Sequence, residues 1–199
     1  MEGNTELRQL QYSFSDSLTV ARKIIQNKIQ NQILVVKKKR STEDLPALNL
    51  LKGYLEKIPE CQSIQEIMGY EGNASRVYFK SVFNQIEWRG RAPRIKMDPV
   101  NFLLDVGYTL LFSLVEATAI LFGFDLYVGN LYQEFYQRKS LVCDLIEPFR
   151  PIVDYSIRKA DPELIPVEQP TSTGVETIPM NIGATDNRSF SIALGYDVI

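Results

Sequence analysis

Histidine is absent from the 199 residues of this chain, and cysteine and tryptophan occur only twice and once. Without histidine, zinc sites of the Cys/His type and general-base catalysis by imidazole are excluded. The two cysteines, Cys61 and Cys143, stand alone in apolar segments, which predicts reduced thiols in a cytoplasmic protein. Residues 1–6 have neither a basic start nor an apolar stretch, so we expect no signal peptide.

The composition is typical of a folded protein with one hydrophobic core. Hydrophobic residues make up 45% of the chain and aromatic residues 11%. The net charge of −2 is unevenly distributed, because residues 161–199 carry six acids and one base whereas residues 1–160 carry 18 acids and 21 bases. We therefore expect a mildly basic body, 1–160, followed by an acidic tail, 161–199, that is irregular because it is rich in proline.

Apolar residues recur at intervals of three and four through most of the body, which predicts helices. The first predicted helix is capped by Asp16 or Ser17 and runs to Val36. Further helices are predicted after Pro46, after Ser63, after Asp98-Pro99, and in the stretches Leu131–Phe135 and Leu141–Ala160. No segment before residue 160 alternates with a period of two. The sequence therefore predicts an all-α fold, a multi-helix bundle.

The helix predicted from Pro99 to about Phe122 is long and apolar enough to raise the question of a membrane span. A stripe of polar residues at intervals of three and four runs along it: Asp105, Thr109, Ser113 and Glu116. Such a stripe is typical of a helix packed inside a bundle. We therefore expect a buried bundle helix and no membrane partner.

Two short segments hold acids in unusual positions. Glu71 stands in a Gly-Tyr-Glu-Gly segment, and Asp144 and Glu147 lie three residues apart, on one helical face, at the end of an apolar run. Pro148 lacks a backbone N–H, which predicts a kink and a free carbonyl at Asp144. Oxygen ligands of this kind suit Mg²⁺ or Mn²⁺. The alternatives are a solvated loop glutamate and an exposed acidic pair.

Arginine and lysine are spread over the body, with several near the two acid segments and in the loop that follows Trp88. Guanidinium groups beside an aromatic ring suit contacts with phosphates and stacking with bases. Taken singly, each of these cations is also consistent with an ordinary solvated surface charge. The candidate DNA-binding residues are Arg76, Arg89, Arg91, Arg94, Lys96, Arg138 and Lys139.

Four segments carry a resemblance to a known family. They are E-G-N-A-S-R-V-Y-F from Glu71, D-P-V-N-F-L-L-D-V-G-Y-T-L-L from Asp98, G-F-D-L-Y-V-G from Gly123, and S-L-V-C-D-L-I-E-P-F-R-P-I-V-D from Ser140. In this order and spacing they resemble the CRISPR-associated spacer-acquisition integrase, the first of the Cas proteins, over about residues 10–160. The resemblance implies that 1–160 is the helical metal-dependent nuclease or integrase domain, without the small N-terminal β-domain that the family also has.

The resemblance also implies a metal site. Members of the family hold a divalent metal with a glutamate, a histidine and a second acid. Matched by motif, these positions fall on Glu71, Tyr132 and Glu147, with Asp144 as a neighbouring assistant. A phenol with a pKa of about 10 is a poorer ligand at pH 7 than imidazole. Tyr132 therefore departs from the family pattern at the position that decides whether the site is active.

The activity that the resemblance implies is endonuclease and integrase chemistry, in which a DNA 3′-hydroxyl attacks a phosphate of the CRISPR repeat beside Mg²⁺ or Mn²⁺. The implied partners are double-stranded and branched DNA, a second copy of the chain in a homodimer, and the small ferredoxin-like Cas protein. The alternative function is a catalytically impaired DNA-binding or assembly subunit of the same family. A helical interaction protein with fortuitous motifs is a third possibility.

Overall fold

The computed structural model describes residues 4–14, 16–84, 88, 90–91, 99–132 and 138–159, and the backbone alone of 170–171 and 174–175. Short 3-10 turns lie at Thr42–Asp44, Ile58–Glu60 and Glu147–Phe149. Within these ranges the α-helices are α1 (Thr5–Ser13), α2 (Ser17–Lys38), α3 (Leu45–Lys57), α4 (Ile64–Val82), α5 (Pro99–Phe122), α6 (Ser140–Ile146) and α7 (Arg150–Lys159). The prediction of an all-α fold is confirmed.

The predicted tail is described at only four residues. Residues 170–171 pair with residues 174–175 as a two-residue antiparallel ladder, and the rest of the tail lies outside the described residues. The division of the chain at residue 160 therefore stays a prediction.

Helix α2 lies at the centre of the bundle. It packs against α3, α4, α7 and the 3-10 turn at Glu147–Phe149. Its start is capped as predicted, because the Asp16 carboxylate accepts a hydrogen bond from the Thr19 amide at 3.1 Å. The predicted apolar stripe faces the core, where Ala21, Ile25 and Ile29 are at most 1% exposed.

Helix α4 carries Glu71 in its interior. The Ser63 hydroxyl caps its start by accepting a hydrogen bond from the Glu66 amide at 3.2 Å. The helix then continues without interruption through the Gly-Tyr-Glu-Gly segment. Glu71 therefore has a helical backbone, and the packing of α4 fixes the direction of its side chain. The alternative of a loop glutamate is wrong.

Helix α5 is, among the described residues, the one helix long and apolar enough to cross a membrane by length and composition. Core helices of soluble proteins pass the same test. The N-terminal half of α5 is packed, since Val100 and Leu104 are 2% and 0% exposed. The Tyr108 hydroxyl donates a hydrogen bond to the buried carboxylate of Asp154 on α7, which ties the two helices together.

The C-terminal half of α5 is not buried as predicted. Leu110, Leu114 and Leu121 are 50%, 52% and 80% exposed. The two acids of the polar stripe point towards neighbouring segments, because Asp105 pairs with Arg91 and Glu116 pairs with Lys139. The leucines therefore face outward where the sequence predicted burial. The same prediction holds for the first half of the helix and fails for the second.

The helix predicted at Leu131–Phe135 is also wrong where the structure describes it. Residues 131–132 form a bend, and 133–137 lie outside the described residues. The bend matters for the site described below, because it carries Tyr132.

Close packing of α5 against α7 gives a test of the fold. A Cβ added at Gly107 would lie 2.4 Å from Val153 Cγ1, and a β-branched valine has little freedom to move away. We expect Gly107→Ala to lower the free energy of unfolding by about 1–3 kcal/mol. Gly53→Ala, where a Cβ meets no atom within 4 Å, should raise it by about 0.5–1 kcal/mol, because Gly is a poor helix former. Urea denaturation followed by circular dichroism measures both, and equal effects would contradict this packing.

Candidate functional site

The side chains of Glu71 and Glu147 meet at the ammonium group of Lys28. Lys28 Nζ lies 2.5 Å from Glu71 Oε1 and 2.6 Å from Glu147 Oε2. Lys28 comes from the middle of α2, Glu71 from α4, and Glu147 from the turn that follows α6. The packing of α2 thus brings the two predicted metal ligands together on one cation, which belongs to the chain itself.

The three charged groups are largely shielded from solvent. The exposed fraction of the side chain is 2% for Glu147, 10% for Lys28 and 19% for Glu71. Burial alone would raise the pKa of Glu147, but the positive charges of Lys28 and Arg150 outweigh it and lower that pKa. Burial likewise works to lower the pKa of Lys28, but the two carboxylates outweigh it and raise that pKa. Glu147 and Lys28 therefore stay ionised at neutral pH.

Hydrogen bonds complete the surroundings of both carboxylates. The Ser75 hydroxyl donates to Glu71 Oε1 at 2.7 Å. The Tyr132 hydroxyl and the Arg150 Nε–H donate to Glu147 Oε1 at 2.9 Å and 3.0 Å. With Lys28 on its other oxygen, Glu147 accepts from three donors, so neither of its oxygens is free of a donor.

Tyr132, at the position where the resemblance implies histidine, acts as a donor towards Glu147. Burial raises the pKa of its phenol, and the Glu147 charge raises it further, so the hydroxyl stays protonated. The Arg138 guanidinium lies 4.4 Å from the centroid of the Tyr132 ring, within the range of a cation–π contact. The phenol therefore supports the carboxylate of Glu147 by hydrogen bonding.

Asp144 binds the loop that carries Tyr132. Its carboxylate accepts hydrogen bonds from the amides of Asn130, Leu131 and Tyr132 at 2.5 Å, 2.9 Å and 3.0 Å. Burial raises the pKa of Asp144, and these amides counteract part of that rise. The loop approaches α6 closely, since a Cβ at Gly129 would lie 3.0 Å from Asp144 Oδ2. Asp144 thus positions the loop, and a catalytic role for it stays a prediction.

The kink predicted at Pro148 takes the form of the 3-10 turn between α6 and α7. The Asp144 carbonyl accepts a hydrogen bond from the Glu147 amide in this turn. The prediction of a free carbonyl is therefore wrong, because a 3-10 bond replaces the α-helical one that Pro148 cannot donate.

The described side chains do not form a site for Mg²⁺ or Mn²⁺ as they are arranged. No three His, Cys, Asp or Glu residues in the described ranges lie together so that they could hold a metal ion. Mg²⁺ requires close to octahedral coordination by oxygen ligands. Here two carboxylates face each other with the Lys28 ammonium between them, and the hydroxyl of Tyr132 is directed at one of them as a donor.

Four of the seven predicted DNA-binding cations lie in the described part of the chain. Arg76 and Arg138 are exposed, as DNA-binding residues should be. Arg91 and Lys139 are instead ion-paired with the two acids of α5, so both also help to hold that helix. The remaining three lie outside the described residues: Arg89, Arg94 and Lys96.

Lys28 is the main functional residue that the sequence analysis missed. A signal for it was present, because Lys28 falls between Ile25 and Ile29 on the apolar side of the predicted helix. Lysine is almost never buried without a partner. A lysine at that position therefore indicates a buried carboxylate elsewhere in the chain, although it does not indicate which one.

The anchoring of the loop by Asp144 can be tested by substitution. In Asp144→Asn, one acceptor oxygen and an NH₂ group would face three backbone amides, so we expect the free energy of unfolding to fall by about 2–4 kcal/mol. Glu116→Gln, which weakens a partly exposed ion pair with Lys139, should lower it by about 1 kcal/mol or less. Urea denaturation compares the two. A loss in Asp144→Asn no larger than that in Glu116→Gln would contradict the anchoring role.

Comparison with known proteins places the chain in a family. The family model described as CRISPR associated protein Cas1 matches residues 1–160. A relative named CRISPR-associated endonuclease Cas1 1, from Pyrobaculum aerophilum, is 37% identical over 106 residues, which is 53% of this chain and 35% of the relative. A relative of the same name from Thermodesulfovibrio yellowstonii is 35% identical over 173 residues, which is 79% of this chain and 54% of the relative. The chain thus spans about a third to a half of the length of these relatives.

Solved structures have the same fold. A chain of a Cas6-RT-Cas1–Cas2 complex matches with a TM-score of 0.74 and 25% identity, over 94% of this chain and 22% of that chain. A casposase bound to an integration product matches with a TM-score of 0.68 and 24% identity, over 78% of this chain and 47% of that chain, which supports the fold alone. The predicted resemblance is confirmed, and the chain belongs to the Cas1 family of CRISPR-associated proteins.

Proposed function

We propose that this chain takes part in spacer acquisition as a DNA-binding and assembly subunit whose carboxylate pair is neutralised by Lys28 instead of by a metal ion. The observation that carries the proposal is the position of Lys28 Nζ, 2.5 Å from Glu71 and 2.6 Å from Glu147. An internal ammonium at this position stabilises two acids that would otherwise repel each other in a shielded site. The chain thereby keeps the family's acids and its fold without depending on a metal for either.

A divalent ion would have to displace this arrangement in order to bind. Breaking a buried ion pair costs about 3–5 kcal/mol when one charge is left uncompensated. The ion would also have to compete with the Tyr132 hydroxyl, which donates to Glu147. The neutral phenol gives little in return, because it is a weaker ligand than the imidazole expected at that position. The cost of breaking the ion pair and the weak ligation by Tyr132 both disfavour binding of Mg²⁺ or Mn²⁺ at ordinary concentrations.

The proposed partners follow from the charge of the body and from the family. The exposed side chains of Arg76 and Arg138 are suited to DNA phosphates, and we propose double-stranded and branched DNA as the ligand. We further propose a homodimer and the small ferredoxin-like Cas protein as partners, since one similar structure is a complex of Cas1 with Cas2. On this proposal the protein is cytoplasmic and the exposed leucines of α5 face protein, not lipid.

A second candidate function is the metal-dependent endonuclease and integrase activity itself. It is favoured by the convergence of Glu71 and Glu147, from separate helices, on a single cation. The same two carboxylates match the acids that the family uses, so this activity would require Lys28 to leave its position between them.

An integration assay separates the two functions. It combines a duplex with free 3′-hydroxyl ends, a supercoiled plasmid carrying the CRISPR repeat, and Mn²⁺. We expect the natural chain to form no more integration product than Glu71→Ala, because Lys28 and Tyr132 keep the site closed to the metal. The double variant Lys28→Met/Tyr132→His should raise product formation by about tenfold or more, since imidazole supplies the missing ligand and no ammonium group remains between the two carboxylates.

DNA binding by the same proteins is the control. The natural chain, Glu71→Ala and Lys28→Met/Tyr132→His should all shift a branched DNA in a gel, because none of these changes removes an exposed cation; Lys28 is buried. Product from the natural chain that disappears in Glu71→Ala would contradict the assembly function and support the integrase. Failure of the natural chain to bind DNA would contradict both.

A further inference from the structure

A groove with a volume of about 450 Å³ runs between the second half of α2 and the beginning of α7. One end of the groove adjoins the carboxylate site, because Asn31 lines it and donates a hydrogen bond to the carbonyl of Pro148 at 2.7 Å. Pro148 directly follows Glu147. The other end opens at the last turn of α2, where Lys37, Lys38 and Arg40 line it.

Cations at this open end are directed outward. The backbone run from Lys37 to Arg40 contains four cations, but Lys39 turns inward and pairs with Asp44. Lys37, Lys38 and Arg40 are exposed, as is Lys159 at the end of α7. Among the described residues none of these four exposed cations forms an ion pair with a carboxylate. They therefore present uncompensated positive charge along one side of the molecule.

Tyr155 holds two of these cations in fixed positions. Lys38 Nζ lies 4.5 Å and Lys159 Nζ 4.8 Å from the centroid of its ring, within cation–π range. Lysine side chains otherwise lose considerable conformational entropy when they bind a ligand. Two ammonium groups from different helices, arranged beforehand on one ring, are therefore suited to an extended anion such as a chain of phosphates.

We propose that the open end of this groove, lined by Lys38, Tyr155 and the neighbouring cations and extended by Lys159 on the Tyr155 ring, binds the phosphate backbone of DNA. The proposal rests on the proposed function in one respect, which is that this protein binds DNA. The residues of this surface differ from those after Trp88, among which the sequence places most candidate DNA contacts. It gives the DNA a second point of attachment, on the side of the bundle formed by α2 and α7.

Reversing the charges of the two lysines that lie against the Tyr155 ring tests this surface. The probes are a fluorescein-labelled 30-base-pair duplex and the corresponding single strand, measured by fluorescence anisotropy at several salt concentrations. For the double variant Lys38→Glu/Lys159→Glu we expect the affinity for duplex to fall by about tenfold or more. The number of counterions released on binding, which the salt dependence of the affinity reports, should fall by about two. Lys23→Glu/Lys52→Glu is the matched control, since both lysines are exposed and neither lines the groove. It should lower the affinity by about threefold or less, through general electrostatics alone.

The ring itself provides a milder variant pair. Tyr155→Phe keeps the ring under both ammonium groups and should bind duplex like the natural chain. Tyr155→Leu removes the ring but keeps an apolar side chain, and should weaken binding by about threefold to tenfold. Thermal unfolding of each variant confirms that it is folded; this control matters most for Tyr155→Leu, because Tyr155 is partly buried and packs against the core.

The outcomes distinguish this inference from the proposed function. No DNA binding by the natural chain would overturn both. DNA binding that falls equally in the groove variant and the matched control would overturn the groove alone. A fluorescein-labelled polyglutamate peptide tests for an acidic protein partner. Loss of peptide binding in Lys38→Glu/Lys159→Glu, with duplex binding unchanged, would also overturn the DNA assignment of this surface.

Discussion

The ion pair of Lys28 with Glu71 and Glu147 is the interaction on which the site and much of the bundle depend. It connects the middle of α2 both to α4 and to the turn between α6 and α7. A buried charge must be compensated, so α2, α4 and the turn can dock only in a register that brings these groups together. The same cation fixes the chemistry of the site, because it occupies the position between the two acids that the family resemblance assigns to a metal.

The remaining parts of the site support Glu147 in this position. Arg150 and Tyr132 donate hydrogen bonds to its second oxygen, and Asp144 holds the loop that carries Tyr132 through three amides. A histidine at position 132 would offer a lone pair, whereas tyrosine offers a proton. With tyrosine in place of histidine at position 132, the side chains around Glu147 form a closed hydrogen-bonded network. The helices that carry them keep the family fold.

The sequence predicted the parts that depend on local pattern. The bounds of α2, the Asp16 cap and the start of α5 at Pro99 follow from apolar periodicity and helix-start signals, which involve residues close together in the chain. The resemblance carried by the four motifs assigned Glu71 and Glu147 to one site. Lys28 could not be assigned in the same way, because its partners lie 43 and 119 residues away along the chain.

The prediction for α5 failed for a related reason. A polar stripe predicts which side of a helix faces water only when no distant cation pairs with it. Here Arg91 and Lys139 draw Asp105 and Glu116 towards neighbouring segments, and the leucines on the opposite flank face outward. Pairings across the fold, and not the periodicity of the helix, decide which side is exposed.

Binding of Mn²⁺ to the natural chain and to Lys28→Met, measured from the electron paramagnetic resonance signal of free Mn²⁺, is the most direct test of the role of Lys28. Methionine removes the charge at similar length, so the two carboxylates would become free to take the ion. We predict that Lys28→Met binds Mn²⁺ more tightly than the natural chain by about tenfold or more, and that adding Glu71→Gln to it removes the gain. Equal or tighter binding by the natural chain would contradict the conclusion that Lys28 occupies the place of the metal.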